Sequence, residues 1–333
     1  MYHRTFKWAA VAGVTLAAMI GQDAMAVELK ASHQFPGGRG DVRDEMVQII
    51  AREVAAANVG LDIKVFPGAS LVKANEQWQA MLKGQIDITA FPLDYASGRH
   101  PEFGATLMPG LVKSHEHAAR LNGSPFMQEI KKVIEDAGVI VLADAWLAGA
   151  FGSKDKCILE PADVQGLKAR SAGATFAEMW AGAGASIVSI PSNEVYNALQ
   201  TGVANATDTS TGSFVSFRLY EQLSCVTAPG DNALWFMYEP VLMSKRSFER
   251  LTKPQQDALM KAAQKSEDYF AGESKKLDDK MVEAFKKNNV KVVTMSDKQA
   301  AAWREVAKKT SYKTFSDKVK NGSKLIDMAL SVE

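Results

Sequence analysis

Apolar positions along this chain change their spacing repeatedly, from the two-residue period of strands to the 3.6-residue period of helices. In the first half, strand patterns lie at residues 29–33, 61–66, 86–90 and 139–145. After the first of them, Met46, Ile50 and Val54 share one helix face. Asp41 is the predicted N-cap of that helix. Strands that alternate with helices in this way predict a mostly parallel α/β sheet that is buried on both faces.

The second half repeats the alternation. Its strand patterns lie at residues 167–171, 186–190, 204–208, 223–227, 234–244 and 290–294. One helix is expected near residues 78–82, where Gly84 ends it, and another at about 114–136. Ser192 is placed to begin a helix that ends at Gly202.

The longest predicted helix starts at Thr252, which forms a capping-box pattern with Gln255. No helix breaker follows before about Asn288. At a rise of about 1.5 Å per residue, such a helix is roughly 50 Å long, which exceeds the width of a small domain. We therefore expect it to brace two domains.

Two domains are also expected from the length of 333 residues, which exceeds what one hydrophobic core usually supports. We assign residues 27–147 and 236–275 to domain I, and residues 148–235 and 276–333 to domain II. No low-complexity linker separates these parts, so several strands should cross between them and form a hinge.

The N-terminus has the features of a secretory signal peptide. Arg4 and Lys7 precede an apolar run at residues 8–20, which is too short to span a bilayer. A small-x-small cleavage pattern ends at Ala26. We expect cleavage after Ala26 and export to the periplasm; the alternative is an uncleaved membrane anchor.

The net charge argues against one class of function, and the cysteine content bears on whether the exported chain is cross-linked. The formal net charge is +1, and it falls to zero once residues 1–26 are removed. Nucleic-acid binding, which needs a basic face, is therefore not expected. Cys157 and Cys225 are the only cysteines. In an oxidising compartment they form either a disulfide or two separate buried thiols.

Catalytic and metal signatures are weak. The chain contains neither GxSxG nor HExxH. His115 and His117 are two positions apart and would not share a helix face, so a metal site is not expected there. We expect no cofactor, and we interpret the chain as a binding protein rather than an enzyme.

The best candidate binding group is Arg170, which lies in a predicted strand of apolar and small residues just before Gly173. A buried guanidinium needs an anionic partner, either a ligand carboxylate or an acid of the protein. Asp208, Thr209 and Ser210 follow another predicted strand. Because polar groups at strand ends face the crevice of an open α/β sheet, they are candidates for the same site; the alternative is a surface turn.

Other candidates are less specific. His33 and Gln34 end the first strand, just before a glycine loop at a helix N-terminus. Asp94 and Tyr95 belong to a loop whose main chain is expected to close the site. Trp235 is the aromatic residue most suited to wall a ligand, although aromatic residues are more often part of the core.

Several short motifs together resemble one family. They are Gly166–Arg170, Gly184-Ala185, Pro191, Glu194–Tyr196, Ala198–Gly202, Phe66-Pro67, Leu71 and Gly84–Ile88. In this combination the chain resembles the DctP-type solute-binding proteins of TRAP transporters. The resemblance implies an α/β, two-domain periplasmic-binding-protein fold that closes on an organic acid. It also implies delivery to the small and large subunits of a membrane permease, with Arg170 as the carboxylate-binding arginine.

Two departures from the family pattern bear on the ligand. Thr209 stands where the family usually has a ligand-binding asparagine, and Ala150 where many members have a second arginine. The loss of a cation favours a monocarboxylate, such as a sugar acid or an aromatic acid, over a dicarboxylate. Arg99 and His33 are the candidates for a replacement cation.

Two other functions share parts of this pattern. An ABC-type or chemoreceptor-linked binding protein would have the same architecture and a different partner. A periplasmic enzyme would use Asp208 and His33, which must then lie within hydrogen-bond reach of one substrate atom. We expect a monomeric binding protein.

Overall fold

The computed structural model describes Met1, residues 27–230 and residues 233–332. The expected signal peptide thus lies outside the described residues. The strands are β1 Val27–Ser32, β2 Leu61–Phe66, β3 Ile88–Ala90, β4 Val139–Ala143, β5 Trp146–Ser153, β6 Lys168–Ser171, β7 Ser186–Ser189, β8 Ala206–Ser210, β9 Cys225–Ala228, β10 Phe236–Tyr238, β11 Val241–Ser244 and β12 Lys291–Thr294.

Helices surround these strands. They are α1 Val42–Ala56, α2 Gln77–Leu82, α3 His115–Leu121, α4 Pro125–Asp136, α5 Ala174–Gly182, α6 Val195–Gln200, α7 Thr211–Ser216, α8 Lys245–Glu249, α9 Lys253–Glu273, α10 Lys276–Lys287, α11 Asp297–Ala307, α12 Lys313–Lys318 and α13 Gly322–Leu330. Short 3-10 helices lie at Ala74–Glu76, Leu93–Ala96, Pro101–Leu107, Pro161–Val164, Ser192–Glu194 and Leu219–Glu221, and a π-helix at Lys308–Tyr312. No helix among the described residues is long and apolar enough to cross a membrane.

Two sheets organise the molecule, and we call the parts built on them domain I and domain II. The first has the order β2-β1-β3-β11-β4, and the second β12-β9-β5-β8-β6-β7, with β10 paired to β5. The predicted α/β fold class is confirmed. The sheets are mixed, because β11 runs antiparallel to β3 and β4 while β5 runs antiparallel to β8 and β9.

The antiparallel strands mark where the chain passes between the domains. The single strand expected at residues 234–244 is wrong, because Glu239 and Pro240 separate β10 in the second sheet from β11 in the first. Proline has no N–H to continue the ladder of β10. The other crossing joins β4 to β5 through Asp144 and Ala145. These two crossings are strands of the kind expected between the domains, and a hinge at them stays a prediction.

Two helices, α9 and α10, occupy the segment for which a single bracing helix was predicted. The predicted capping box of Thr252 and Gln255 starts α9, but the helix is interrupted at Ser274 and Lys275. The N–H groups of the following turn donate to carbonyl oxygens three residues back, as in a 3-10 turn. The helix α9 packs on α1 in domain I, whereas α10 packs on α7 and β12 in domain II.

Two further expectations need correction. The helix predicted at 114–136 is two helices, because Ser124 caps α4 and Pro125 occupies its first turn. The end of the segment 276–333 does not belong to domain II. Leu325 and Ile326 of α13 are buried in the same apolar cluster as Phe126 of α4, so the C-terminal helix returns to domain I.

A disulfide joins Cys157, just after β5, to Cys225 at the start of β9, with the two Cα atoms 5.1 Å apart. Of the two states left open by the sequence, the structure has the bridged one. The bond ties two neighbouring segments of domain II.

Candidate functional site

Arg170 lies in β6 where domain II faces domain I, and its side chain is fully buried. The guanidinium donates through Nε to the carbonyl of Ile190 (3.0 Å) and through Nη1 to the carbonyl of Asp208 (2.7 Å). Its Nη2 lies 3.2 Å from Ser192 Oγ and 3.4 Å from Tyr95 Oη. Main-chain oxygens thus fix one side of the group, while hydroxyls surround the other.

Asp208 is the acid nearest to Arg170, with its Oδ1 atom 3.6 Å from Nη1. Its carboxylate also accepts hydrogen bonds from the N–H of Ala172 (2.6 Å), Trp180 Nε1 (2.6 Å) and Ser171 Oγ (3.1 Å). Burial raises the pKa of Asp208 to about 6, although Arg170 opposes the shift. The side chain is therefore an internal partner that orients Arg170, which was the alternative interpretation of that arginine.

Thr209 and Ser210 are fully buried residues of β8 itself. The sequence placed them after the strand, but β5 pairs with β8 as far as Ser210 and extends it. Thr209 Oγ1 lies 3.4 Å from Ser192 Oγ, beside the hydroxyl side of Arg170. Ser210 Oγ points the other way and accepts from Arg43.

Tyr95 and Gln34 approach the same point from domain I. Tyr95 Oη accepts from the N–H of Ser192 (2.9 Å), lies 3.1 Å from its hydroxyl and contacts Arg170. Gln34 Nε2 is 3.4 Å from Tyr95 Oη. The structure thus brings five residues of the candidate site together: Gln34, Tyr95, Arg170, Ser192 and Thr209. Sequence analysis had missed Ser192, which it assigned only to a helix start.

Two candidates lie away from this point. His33 is buried against Asp44, with 3.3 Å between Nε2 and Oδ1, and its ring stacks on Phe35. Trp235 is buried with its ring centroid 4.7 Å from that of Phe176, and it covers Gly149, where a Cβ would lie 2.0 Å from the indole. The structure thus places Trp235 in aromatic packing.

Arg43, which sequence analysis also missed, is a second fully buried cation. Its guanidinium forms ion pairs with Asp41 (2.6 Å) and Glu239 (2.7 Å), and it also donates to Ser210 and Ser213. It therefore connects α1 of domain I to the hinge and to domain II. Arg99, one of the two candidates named for a replacement cation, is exposed.

A signal for Arg43 was present in the sequence. It falls one helical turn before Met46 and two before Ile50, on the apolar face of α1. A charged residue on a buried helix face needs a partner. That pattern alone identifies Arg43 as a buried cation, although it does not identify its partners.

Asp94 faces the other domain across the cleft. Its carboxylate occupies the space beside Gly173, where an added Cβ would lie 1.4 Å from Oδ2. Burial raises the pKa of Asp94 to about 7, and the negative charge of Asp208 adds to the shift. Asp94, Tyr95, Gly173 and Ile190 line part of a cavity of about 260 Å³ between the two domains.

The histidines considered for a metal have other contacts. His115 Nε2 lies 2.9 Å from Asp278 Oδ2 on α10, and His117 Nδ1 accepts from the N–H of Lys113. Within residues 27–230 and 233–332, no group of three or more His, Cys, Asp or Glu side chains is placed to hold a metal ion.

Comparison with known proteins identifies the family to which the chain belongs. The model of the family described as bacterial extracellular solute-binding protein, family 7, matches residues 47–318. The chain is 39% identical over 305 residues to a solute-binding protein of Albidiferax ferrireducens, covering 90% of each chain. It is 26% identical, over 92% of each chain, to the C4-dicarboxylate-binding periplasmic protein DctP of Rhodobacter capsulatus.

Solved structures agree. A TRAP periplasmic solute-binding protein from Rhodoferax ferrireducens, with bound malonate, is 39% identical and has a TM-score of 0.88, covering 91% of this chain and 98% of that one. A Bordetella pertussis extracytoplasmic solute receptor that binds pyroglutamic acid is 21% identical and shares the fold with a TM-score of 0.83, covering 91% and 99%.

Proposed function

The chain belongs to family 7 of the bacterial extracellular solute-binding proteins, and from this premise we propose that it captures a small organic acid through Arg170 for a TRAP transporter. The observation that supports the proposal is the convergence of four donors from both domains. They are Arg170 Nη2 and the hydroxyls of Tyr95, Ser192 and Thr209, which are joined by distances of 3.1–3.4 Å.

A carboxylate suits this group of donors. It has two oxygens and about four acceptor positions, and charge-assisted hydrogen bonds to an arginine are about twice as strong as neutral ones. The long contacts at Nη2 would be replaced by shorter bonds to the ligand oxygens. Asp208 and the carbonyl of Ile190 hold the guanidinium in place meanwhile.

Closure of the two domains completes the site. Tyr95 belongs to domain I and Arg170 to domain II, so one carboxylate can contact both only when the cleft closes. Closing expels water and thereby strengthens the interaction between the charges. The two hinge crossings, β4 to β5 and β10 to β11, permit this movement while α9 and α10 brace the domains.

The relatives support a small organic acid, and the number of its carboxylates is argued from the site. The 39%-identical structure holds malonate, which is a dicarboxylate, so the proposal of a single carboxylate for this chain rests on the site alone. Arg43 does not provide a free second cation, because Asp41 and Glu239 already pair with it. We therefore propose a small monocarboxylate, such as a sugar acid or an aromatic acid.

We further propose that the protein acts as a monomer in the periplasm after cleavage at Ala26, and that its partners are the small and large permease subunits. A relative named as a periplasmic binding protein supports the compartment. The family is a transport component, which favours binding over catalysis. An ABC-type partner remains the second candidate, and copurification with the cognate membrane proteins distinguishes the two.

The test of the proposed site is titration calorimetry with an acid identified by a thermal-shift screen. Arg170→Ala should lower the affinity by about 2–5 kcal/mol, the usual cost of truncating a buried charge pair. Arg170→Lys keeps a charge beside Asp208 and controls for folding; it too should lose most of the affinity, because it cannot reproduce the fork geometry. Unchanged affinity in both variants, with both folded, would falsify the clamp.

A further inference from the structure

Besides both carboxylate oxygens of Asp94, two buried oxygen atoms near the carboxylate subsite accept no hydrogen bond from any described residue. They are Oε1 of Glu239 and Oε1 of Gln34. Glu239 is fully buried and Gln34 is 1% exposed, so bulk water does not satisfy these acceptors. Buried polar groups normally have partners because an unpaired one costs about 1–3 kcal/mol.

Both residues are close to the four converging donors. Gln34 Nε2 contacts the hydroxyl of Tyr95, which in turn contacts Arg170. Glu239 lies between β10 and β11, where Arg43 Nη1 donates both to its Oε2 (2.7 Å) and to the hydroxyl of Ser210 (3.0 Å), the neighbour of Thr209 in β8. Burial raises the pKa of Glu239, and Arg170 is among the charges that oppose the shift. The remaining groups that act on Glu239 are Arg43, which lowers its pKa, and Asp41, which raises it.

The charges around Arg43 decide which ligand groups are compatible. One guanidinium faces two carboxylates, Asp41 at 2.6 Å and Glu239 at 2.7 Å. With both acids ionised, this cluster carries a net charge of −1. A second carboxylate on the ligand would therefore meet repulsion, whereas an N–H or O–H group would gain an ionised acceptor.

We propose that Glu239 and Gln34 form a second subsite that accepts hydrogen bonds from the ligand, so that the preferred ligand is a monocarboxylate carrying an N–H or O–H donor. Hydroxy acids and lactam acids have this chemistry; simple dicarboxylates do not. This inference rests on the proposed function, because it takes the Arg170 group as the carboxylate subsite.

The test compares pairs of acids that differ by the donor. Lactate is paired with propionate, and pyroglutamate with cyclopentanecarboxylate; malonate and succinate represent dicarboxylates. In titration calorimetry the wild-type protein should bind the donor-bearing member of a pair at least about tenfold more tightly. That factor corresponds to about one hydrogen bond.

Glu239→Gln is the informative variant, because it keeps the size of the side chain and removes the charge. It should reduce the preference for the donor-bearing acid about tenfold, measured as the ratio of the two affinities within each pair. Asp41→Asn is the matched control: it removes the same charge from Arg43, but both oxygens of Asp41 are already bonded to Arg43. It should affect both acids of a pair equally.

The outcomes separate the two proposals. Equal affinity within each pair, tighter binding of malonate or succinate, or binding that requires added Na⁺ or Ca²⁺ would overturn the donor subsite while leaving the Arg170 clamp intact. Affinity unaffected by Arg170→Lys, or no binding of any of these acids, would instead contradict the proposed function and the subsite with it.

Discussion

The two fully buried arginines differ in what surrounds them. Arg43 forms ion pairs with two carboxylates and donates to serine hydroxyls as well. Arg170 has one acid at 3.6 Å, and its short contacts go to main-chain carbonyls. The charge of Arg43 is thus more than balanced, whereas one edge of Arg170 faces only hydroxyl groups.

The acids near the two arginines also differ, in the direction in which their pKa values are shifted. Burial raises the pKa of Asp41, but Arg43 outweighs it and holds the value below the usual range. Asp208 has its pKa raised to about 6, and Asp94 to about 7. The Arg43–Asp41 pair therefore stays ionic, although burial raises the pKa of Glu239 on the other side of Arg43, while the Arg170 region retains groups whose charge changes near neutral pH.

The largest expected effect is on stability at Arg43. Arg43→Ala leaves Asp41 and Glu239 buried without a cation, which should lower the free energy of unfolding by about 3–5 kcal/mol. Urea denaturation at pH 7 measures this loss. Arg170→Lys, which keeps a charge, should lose much less stability and most of its ligand affinity. Equal losses of stability in the two variants would contradict the conclusion that Arg43, unlike Arg170, has its charge balanced by two carboxylates.

A smaller effect, on ligand affinity, is expected from a substitution at Gly173, where the domains meet. The φ of this residue is −166°, so alanine is compatible with the backbone, but its methyl group would overlap the carboxylate of Asp94. Gly173→Ala should therefore oppose closure and weaken ligand binding by about 1–3 kcal/mol, the usual cost of overpacking. Titration calorimetry measures the affinity.

The control for this substitution is Gly123→Ala, in the exposed turn between α3 and α4. An added Cβ at Gly123 meets no atom within 4 Å, so the affinity of this variant for the ligand should match that of the wild type. If Gly173→Ala also bound ligand normally, Asp94 and Gly173 would not be in contact in the ligand-bound form.

Much of the fold could be predicted because its signals are local. Periodicity located most strands, and capping patterns located the starts of α1 and α9. The interruption at Ser274 was missed, although Gly272, a weak helix former, lies two residues before it in the last turn of α9. The division of residues 234–244 between two sheets depends on strand partners that are distant in sequence.

The burial and grouping of the candidate-site residues could be predicted to a similar extent, while their role in binding stays a proposal. Arg170 was identifiable as a lone cation in an apolar strand and from the family motif. The role of Arg43 depends on Ser210 and Glu239, which are 167 and 196 positions away. The role of Asp208 as a partner of Arg170 likewise depends on β6 and β8 being adjacent in the sheet. Such pairings arise from topology, which residue patterns do not specify.

The last expected effect, which is confined to a pH range, tests the titrating groups near Arg170. An acid whose pKa is raised binds more protons in the native state, so Asp94 makes the protein less stable as the pH rises from about 4 to about 7. Above pH 7 that cost is constant. Asp94→Asn removes it and should stabilise the protein by up to about 4 kcal/mol at pH 8, since the shift is about three pKa units and each corresponds to about 1.4 kcal/mol. At pH 4 the variant and the wild type should be nearly equal.

Thermal unfolding measured from pH 4 to pH 8 gives the comparison. Asp208 titrates in the same direction with a pKa of about 6, so the slope of stability against pH should decrease in Asp94→Asn without vanishing. Asp41→Asn provides the opposite sign: its pKa is lowered in the native state, so its loss should destabilise the protein at pH 8. If both variants shifted stability in the same direction at pH 8, the contrast between a balanced Arg43 cluster and a titrating Arg170 region would be wrong.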